Sequence, residues 1–166
     1  MSSNTLYNDE AKEKLKKMVS GGDVAMFATN IGRKPLSVVP MHTKKVDDDG
    51  TIWFLSVSNS DHNRDILQDP TAQLLYNNTG DMNFVSIFGE AQIVTKQEIL
   101  DELYDSKDNA WFDGSDDPNL TAIRFTPREA AYWSNDSNKL VTFFKLQVAA
   151  LTGSDKDIGS SGKMKM

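Results

Sequence analysis

The chain holds 166 residues, a length that fits one domain, and its 39% hydrophobic and 25% charged content is that of a globular protein. A net charge of −6, from 18 basic and 24 acidic residues, argues against general nucleic-acid binding, which needs clustered Lys and Arg. There is no Cys and there are only two histidines, His42 and His62, which excludes disulfides, thiolate nucleophiles, Cys-ligated zinc, iron–sulfur clusters and a multi-histidine metal site.

The N-terminus lacks the basic segment and apolar run of a signal peptide, and no apolar stretch reaches the roughly 20 residues of a membrane helix. The expectation is a cytoplasmic protein with neither membrane nor nucleic acid as partner. In chain order, Asn8 can cap a first helix whose Ala11, Leu15, Met18 and Val19 fall on one face, and Gly21-Gly22 stops it. Residues 24–30, 36–46 and 51–57 read as strands of a meander, with Asp47-Asp-Asp-Gly50 as a tight turn. A short surface helix follows over 61–69, closed by Pro70, and 72–76 is a fourth strand. The fifth, 84–94, alternates cleanly: Val85, Ile87, Gly89, Ala91 and Ile93 share one face, which places that face in the core.

Residues 96–104 read as a helix with Ile99, Leu100 and Leu103 on one side. Residues 101–117 carry seven acids and one Lys, which reads as a solvated loop. Strands over 120–126 and 130–133 are expected on either side of Pro127, followed by an apolar closing segment over 140–151 and a mobile Gly/Ser/Lys/Met tail. Many short antiparallel strands, an N-terminal helix and small crossover helices predict a mainly β fold with α: a six- to seven-stranded antiparallel barrel. Nucleotide fingerprints of the G-x-x-x-x-G-K-[ST] and G-x-G-x-x-G types are absent, and no G-x-S-x-G elbow marks a nucleophile. The acidic loop fails as an EF-hand, because aligning on Gly114 puts Trp111 at a ligand position.

Three segments carry a family resemblance: Trp53-Phe-Leu-Ser-Val-Ser-Asn-Ser60, Ala110-Trp-Phe-Asp-Gly-Ser-Asp-Asp-Pro-Asn-Leu120 and Phe125-Thr-Pro-Arg-Glu-Ala-Ala-Tyr-Trp133. Pro40-Met41 and Gly89-Glu-Ala91 support them. The chain resembles the general stress protein branch of the pyridoxamine 5'-phosphate oxidase-like proteins, which are flavin-binding split β-barrels. The resemblance implies an FMN-binding split-barrel domain over 1–152, a flexible tail over 153–166, and a homodimer with FMN at the subunit interface. It implies that Val38, Val39, Pro40, Met41 and His42 run along the isoalloxazine ring, and that Phe54, Leu55, Ser56, Ser60, His62 and Asn63 hold the ribityl chain and phosphate. Ser60 precedes a helix, whose first N–H groups suit a phosphate. Either Trp111 or Trp133 could close over the ring or sit across the interface.

Two positions depart from the family pattern. Val39 stands where Arg is often found before Pro-Met, and His62 where Lys often follows the phosphate-turn Ser. Weaker FMN binding than the family norm is therefore expected, with Lys44, Arg64 or the basic residues of 138–166 as compensating charges. The function implied is a flavin-dependent oxidoreductase acting on an unidentified small molecule or electron donor. No metal is implied. The alternative is a flavin carrier without turnover, since no acid–base residue is evident.

Overall fold

The computed structural model describes residues 2–134 and 160–166. The closing segment expected over 140–151 and the boundary expected after residue 152 lie outside the described residues. Among the described residues eight strands and three helices follow in the order β1 (Ser2–Tyr7), α1 (Asn8–Met18), β2 (Val24–Thr29), β3 (Ser37–Val46), β4 (Ile52–Val57), α2 (Asp61–Gln68), β5 (Thr71–Asn78), β6 (Asn83–Val94), α3 (Gln97–Leu103), a 3-10 turn (Ser106–Ala110), β7 (Leu120–Ser134) and β8 (Ser160–Lys165). Six of the strands close into an antiparallel barrel in the order β7-β4-β3-β2-β5-β6 and back to β7. Closure removes the free edges that short strands would otherwise expose.

The sequence periods explain this arrangement. The predicted face of α1 is the buried one: Ala11 and Leu15, with Val19 just beyond the helix end, are at 0–1% exposure, and Met18 is partly buried. In β6 the expected parity holds: Val85, Ile87, Gly89 and Ala91 point inward while Glu90 and Gln92 are exposed. The barrel interior is built around Phe27, with Phe54 edge-on at 5.3 Å and Phe125 at 6.2 Å, a geometry aromatic rings favour. Gly50 holds a φ of +91° at the turn between β3 and β4, the left-handed region that glycine tolerates.

β4 is covered on both faces. Ile52 and Phe54 point into the barrel, while Trp53 faces a second apolar cluster with Leu100, Leu103, Phe112, Leu120 and Ala122. That cluster packs α3 and the acidic segment onto the outside of β4 and β7, and it accounts for the unbroken apolar run Ile52–Leu55.

Two expectations require correction. Pro127 does not divide β7. The strand runs through it because β4 starts at Ile52 opposite Phe125 and β8 stops at Lys165 opposite Glu129, so on that side Pro127 has no ladder partner to lose. Toward β6 the register shifts at this point, with Gly89 opposite Pro127 and Phe88 opposite Glu129. Residues 160–165, expected within a mobile tail, form β8, which pairs antiparallel with the second half of β7 and parallel with β1. Met164 explains the order, since its side chain is fully buried in the main core.

Candidate functional site

β3 and β4 are hydrogen-bonded partners only at one end. Their register runs over Thr43↔Phe54, Lys45↔Trp53 and Val46↔Ile52, and no ladder joins residues 37–42 to residues 55–57. On its other edge β3 stays paired with β2 from Ser37 to His42. The two strands therefore part beyond Thr43, and the barrel wall opens into a seam. A β-bulge marks the hinge: Lys44 is the extra residue between Thr43 and Lys45. Bulges bend a strand and re-aim side chains next to such openings.

A cavity of about 410 Å³ occupies this seam. That volume lies in the range of small-molecule sites, about 300–1,000 Å³. Its walls come from β3 (Pro40, Met41, His42, Lys44), β4 (Leu55, Ser56, Val57), the start of α2 (His62) and the 3-10 turn with its exit (Asp108, Trp111, Phe112). Most of this lining is apolar. Trp111 stands with 73% of its surface exposed, whereas Phe112, its neighbour, is buried in the cluster outside β4 and anchors the loop.

Lys44 and the acidic segment are locked together. The Lys44 ammonium donates to Asp105 Oδ2 and Asp108 Oδ2, each at 2.7 Å, and its side chain is only 6% exposed. Burial opposes the charge on Lys44, but the bonds from Asp105 and Asp108 and their charges outweigh it and hold its pKa above the ordinary 10.5. Asp105 is held below the usual carboxylate range by the Lys44 hydrogen bond and by the N–H of Lys107. A capping box reinforces the turn: Asp105 accepts from Lys107 N–H and Asp108 from Asp105 N–H, both at 2.8 Å. Lys45 adds a second tie, to Glu102 at 2.5 Å and Asp47 at 2.9 Å. The segment read as a solvated acidic loop is thus strapped to β3, and Asp108 is 7% exposed.

At the opposite end, Ser60 caps α2 by accepting from Asn63 N–H at 3.3 Å and lies 3.1 Å from His62 Nε2. Burial lowers the His62 pKa, and the charges of Asp61 and Asp65 only partly oppose it, so the imidazole is neutral near pH 7. Arg64 is engaged by Asp61 and by the Asn59 carbonyl at 2.6 Å. Below the cavity, Asn63 Nδ2 donates to Thr121 Oγ1 at 3.0 Å, and Thr121 Oγ1 lies 2.8 Å from Ser56 Oγ. Asn63 Oδ1 is buried without a partner.

The seam brings together seven of the residues singled out in the sequence: Pro40, Met41, His42, Leu55, Ser56, His62 and Trp111. Five others lie off the lining. Val38 and Val39 sit farther along β3, with Val39 packed against the core. Phe54 is fully buried inside the barrel. Ser60 and Asn63 lie off the lining, engaged in the α2 cap and the Thr121 bond. Trp133 lies elsewhere, opposite Phe84 on the barrel exterior. Sequence reasoning did not place Val57, Asp108 and Phe112 in the site, and it offered Lys44 only as a spare charge. One signal for Lys44 was available: two adjacent Lys after the alternating Met41-His-Thr43 break the period of two, as a bulge does.

Comparison with known proteins assigns the fold to a class. The family model described as pyridoxamine 5'-phosphate oxidase like matches residues 10–157. The chain belongs to that family. It is similar to a provisionally named general stress protein 26 of Jannaschia sp. CCS1, with a TM-score of 0.74 and 24% identity, covering 95% of this chain and 96% of the other. It is similar also to a general stress FMN/FAD binding protein of Xanthomonas citri, with a TM-score of 0.67 and 26% identity over 78% of this chain and 92% of that one. General stress protein 26 of Bacillus subtilis is 39% identical over 46 residues, 28% of this chain, and the match spans only 33% of that protein's length. No helix among the described residues is long and apolar enough to cross a membrane.

Proposed function

We propose that this protein binds FMN in the β3–β4 seam, in a cleft completed by a second copy of the chain, and serves as a flavin-dependent oxidoreductase in a stress response. The observation that carries this reading is the parted edge of β3. Between Ser37 and His42 that edge has no strand partner on the β4 side, so its backbone groups are free to hydrogen-bond the polar edge of a flat ring. Leu55, Val57 and Trp111 offer that ring apolar walls.

The residues present fit the group. The α2 N-terminus offers its first-turn N–H groups and the Ser60 hydroxyl to a phosphate, aided by the helix dipole. Fixed positive charge is scarce there, since Lys44 and Arg64 are both held by carboxylates. Neutral donors and a titratable His62 would carry the phosphate, which agrees with the expected weakening of affinity.

The second copy is supported by the barrel's outer face. Register places Met26 beside both Pro40 and Leu75, and Val24 beside His42. Val24, Met26 and Leu75 are 42–54% exposed. This apolar strip is continuous with the seam through Pro40 and His42, as expected of a surface that another subunit covers.

When bound, the flavin supplies hydride and electron transfer. The chain's own residues bind it, orient it and exclude water from one side. Within the cavity Lys44 is locked in its ion pairs, and that commitment favours one alternative, a flavin carrier without turnover. A visible spectrum of the purified protein under anaerobic titration with reductants separates the two. Bleaching of a stoichiometric flavin band and its recovery with an acceptor support the oxidoreductase. Bound flavin that never cycles supports the carrier.

A further inference from the structure

Four ionisable side chains line the seam cavity: His42, Lys44, His62 and Asp108. Three of them are committed. Lys44 and Asp108 hold one another at 2.7 Å, with side chains only 6% and 10% exposed. His62 lies 3.1 Å from Ser60 Oγ, at the end of the cavity given to the phosphate, and burial keeps it neutral. His42 differs from all three. It is exposed, and its ring has no hydrogen bond or ion pair among the described residues. It is also the last residue of the β3 edge without a partner on the β4 side, one before the ladder resumes at Thr43. A flat ring held along that edge has the His42 imidazole at its border. Two-electron reduction of a carbonyl group takes up a proton as well as a hydride, and imidazole is the side chain that most often carries such a proton.

We propose that His42 is the catalytic acid of this site and that its substrate is an uncharged carbonyl compound of the quinone class. The imidazolium gives its ring proton to one quinone oxygen, so that its N–H bond breaks and an O–H bond forms. A hydride, carrying the electron pair, reaches the other oxygen from the reduced flavin. The quinone leaves as a neutral hydroquinone and the flavin is left oxidised. The imidazole regains its proton from solvent, and a two-electron donor of the dihydronicotinamide class restores the flavin. The substrate is uncharged because the fixed charges of the lining, Lys44 and Asp108, are paired with each other. This rests on the flavin reading, whose substrate class it names, and it supplies the acid that Lys44 is too tightly paired to be. The charged and titratable groups around His42 are Lys44 on its own strand, Asp105 and Asp108 on the acidic segment, His62 on α2, and Asp23, which precedes its register partner Val24 on β2.

Two experiments test it. In flavin-free protein the probe is 4-nitrophenol, whose colour reports its own ionisation. A neighbouring imidazolium favours the phenolate, so the bound probe should turn yellow at lower pH than the free one, and His42→Gln should remove that shift. A shift that survives His42→Gln, or that is lost only in His62→Gln, would overturn the proposal. In protein saturated with FMN, photoreduced without oxygen and mixed with duroquinone, reoxidation should slow as pH rises. Saturation keeps the pH dependence of FMN binding out of that profile. His42→Gln should slow reoxidation by about 100-fold at low pH, the lower end of the range for general acid–base catalysis, and flatten the profile. Added imidazole should restore part of the rate to His42→Ala, which a merely structural role would not allow. A rate and profile that His42→Gln leaves unchanged would overturn the proposal while FMN stays bound. Protein that takes up no flavin yet shows the His42-dependent probe shift would remove the flavin reading and uphold His42 as the proton donor of the cavity.

Discussion

Gly89 on β6 faces Pro127 on β7 so closely that a Cβ on Gly89 would stand 2.3 Å from the Thr126 carbonyl oxygen and 2.7 Å from the Phe125 ring. The contact is with backbone, which cannot swing aside, and it lies where the β6–β7 register shifts to absorb Arg128. Gly89→Ala should therefore destabilise the barrel by about 3 kcal/mol, the upper part of the range for overpacking. Thermal or urea unfolding checks this, and a loss under about 0.5 kcal/mol, the scatter of ordinary surface changes, would show that the strands are free to separate there.

The Lys44 latch has a defined pH window. Asp105 has its pKa depressed below 3.8, so its contribution is present above that value and is lost as pH falls through the depressed one. Lys44 has its pKa raised above 10.5, so its contribution is complete below 10.5 and is lost as pH rises through the raised value. Amide protection factors of residues 105–112, taken against the intrinsic exchange rate at each pH, should stay high between those limits and fall outside them, before the barrel itself unfolds. Lys44→Met should cost about 3 kcal/mol, because it leaves the buried Asp108 carboxylate unpaired.

His62 should make flavin binding depend on pH. Burial keeps the imidazole neutral, with a pKa below 6.5 in the free protein, whereas a phosphate dianion beside it would favour the charged form. Binding then takes up a proton, so FMN should bind more tightly at pH 6 than at pH 8. Riboflavin, which has no phosphate, should show no such change. Ser60→Ala with His62→Ala should weaken FMN by about 2–4 kcal/mol through loss of two charge-assisted hydrogen bonds. Equal losses for FMN and riboflavin would place the phosphate elsewhere.

The outer strip predicts a dimer that a charge can break. Met26→Lys with Leu75→Asp puts polar groups on two exposed, register-paired positions and leaves the core untouched. Sedimentation should give a dimer for the natural chain and a monomer with unchanged melting for the variant. FMN affinity should fall with it, and a monomer of full affinity would contradict an interfacial cleft.

Legibility in the sequence followed locality. The α1 face and the β6 parity were readable, since the residues that create each period are neighbours in the chain. The continuity of β7 through Pro127 was not, because it depends on where β4 begins and β8 ends, which are long-range facts. Met164 shows the same limit: one buried side chain orders a strand whose composition reads as tail. Residue types of the site came largely from a motif resemblance, and they reached each element of the lining while leaving out Val57, Asp108 and Phe112. Asp108 was hidden within a run of acids, and only the bulge at Lys44 distinguishes it from its exposed neighbours.

Titration calorimetry of FMN into the purified, flavin-free protein tests the central claim most directly. The seam predicts saturable binding of one FMN per chain, with a shifted flavin absorption band as the ring leaves water. No heat and no spectral shift at protein concentrations well above the micromolar range would contradict it.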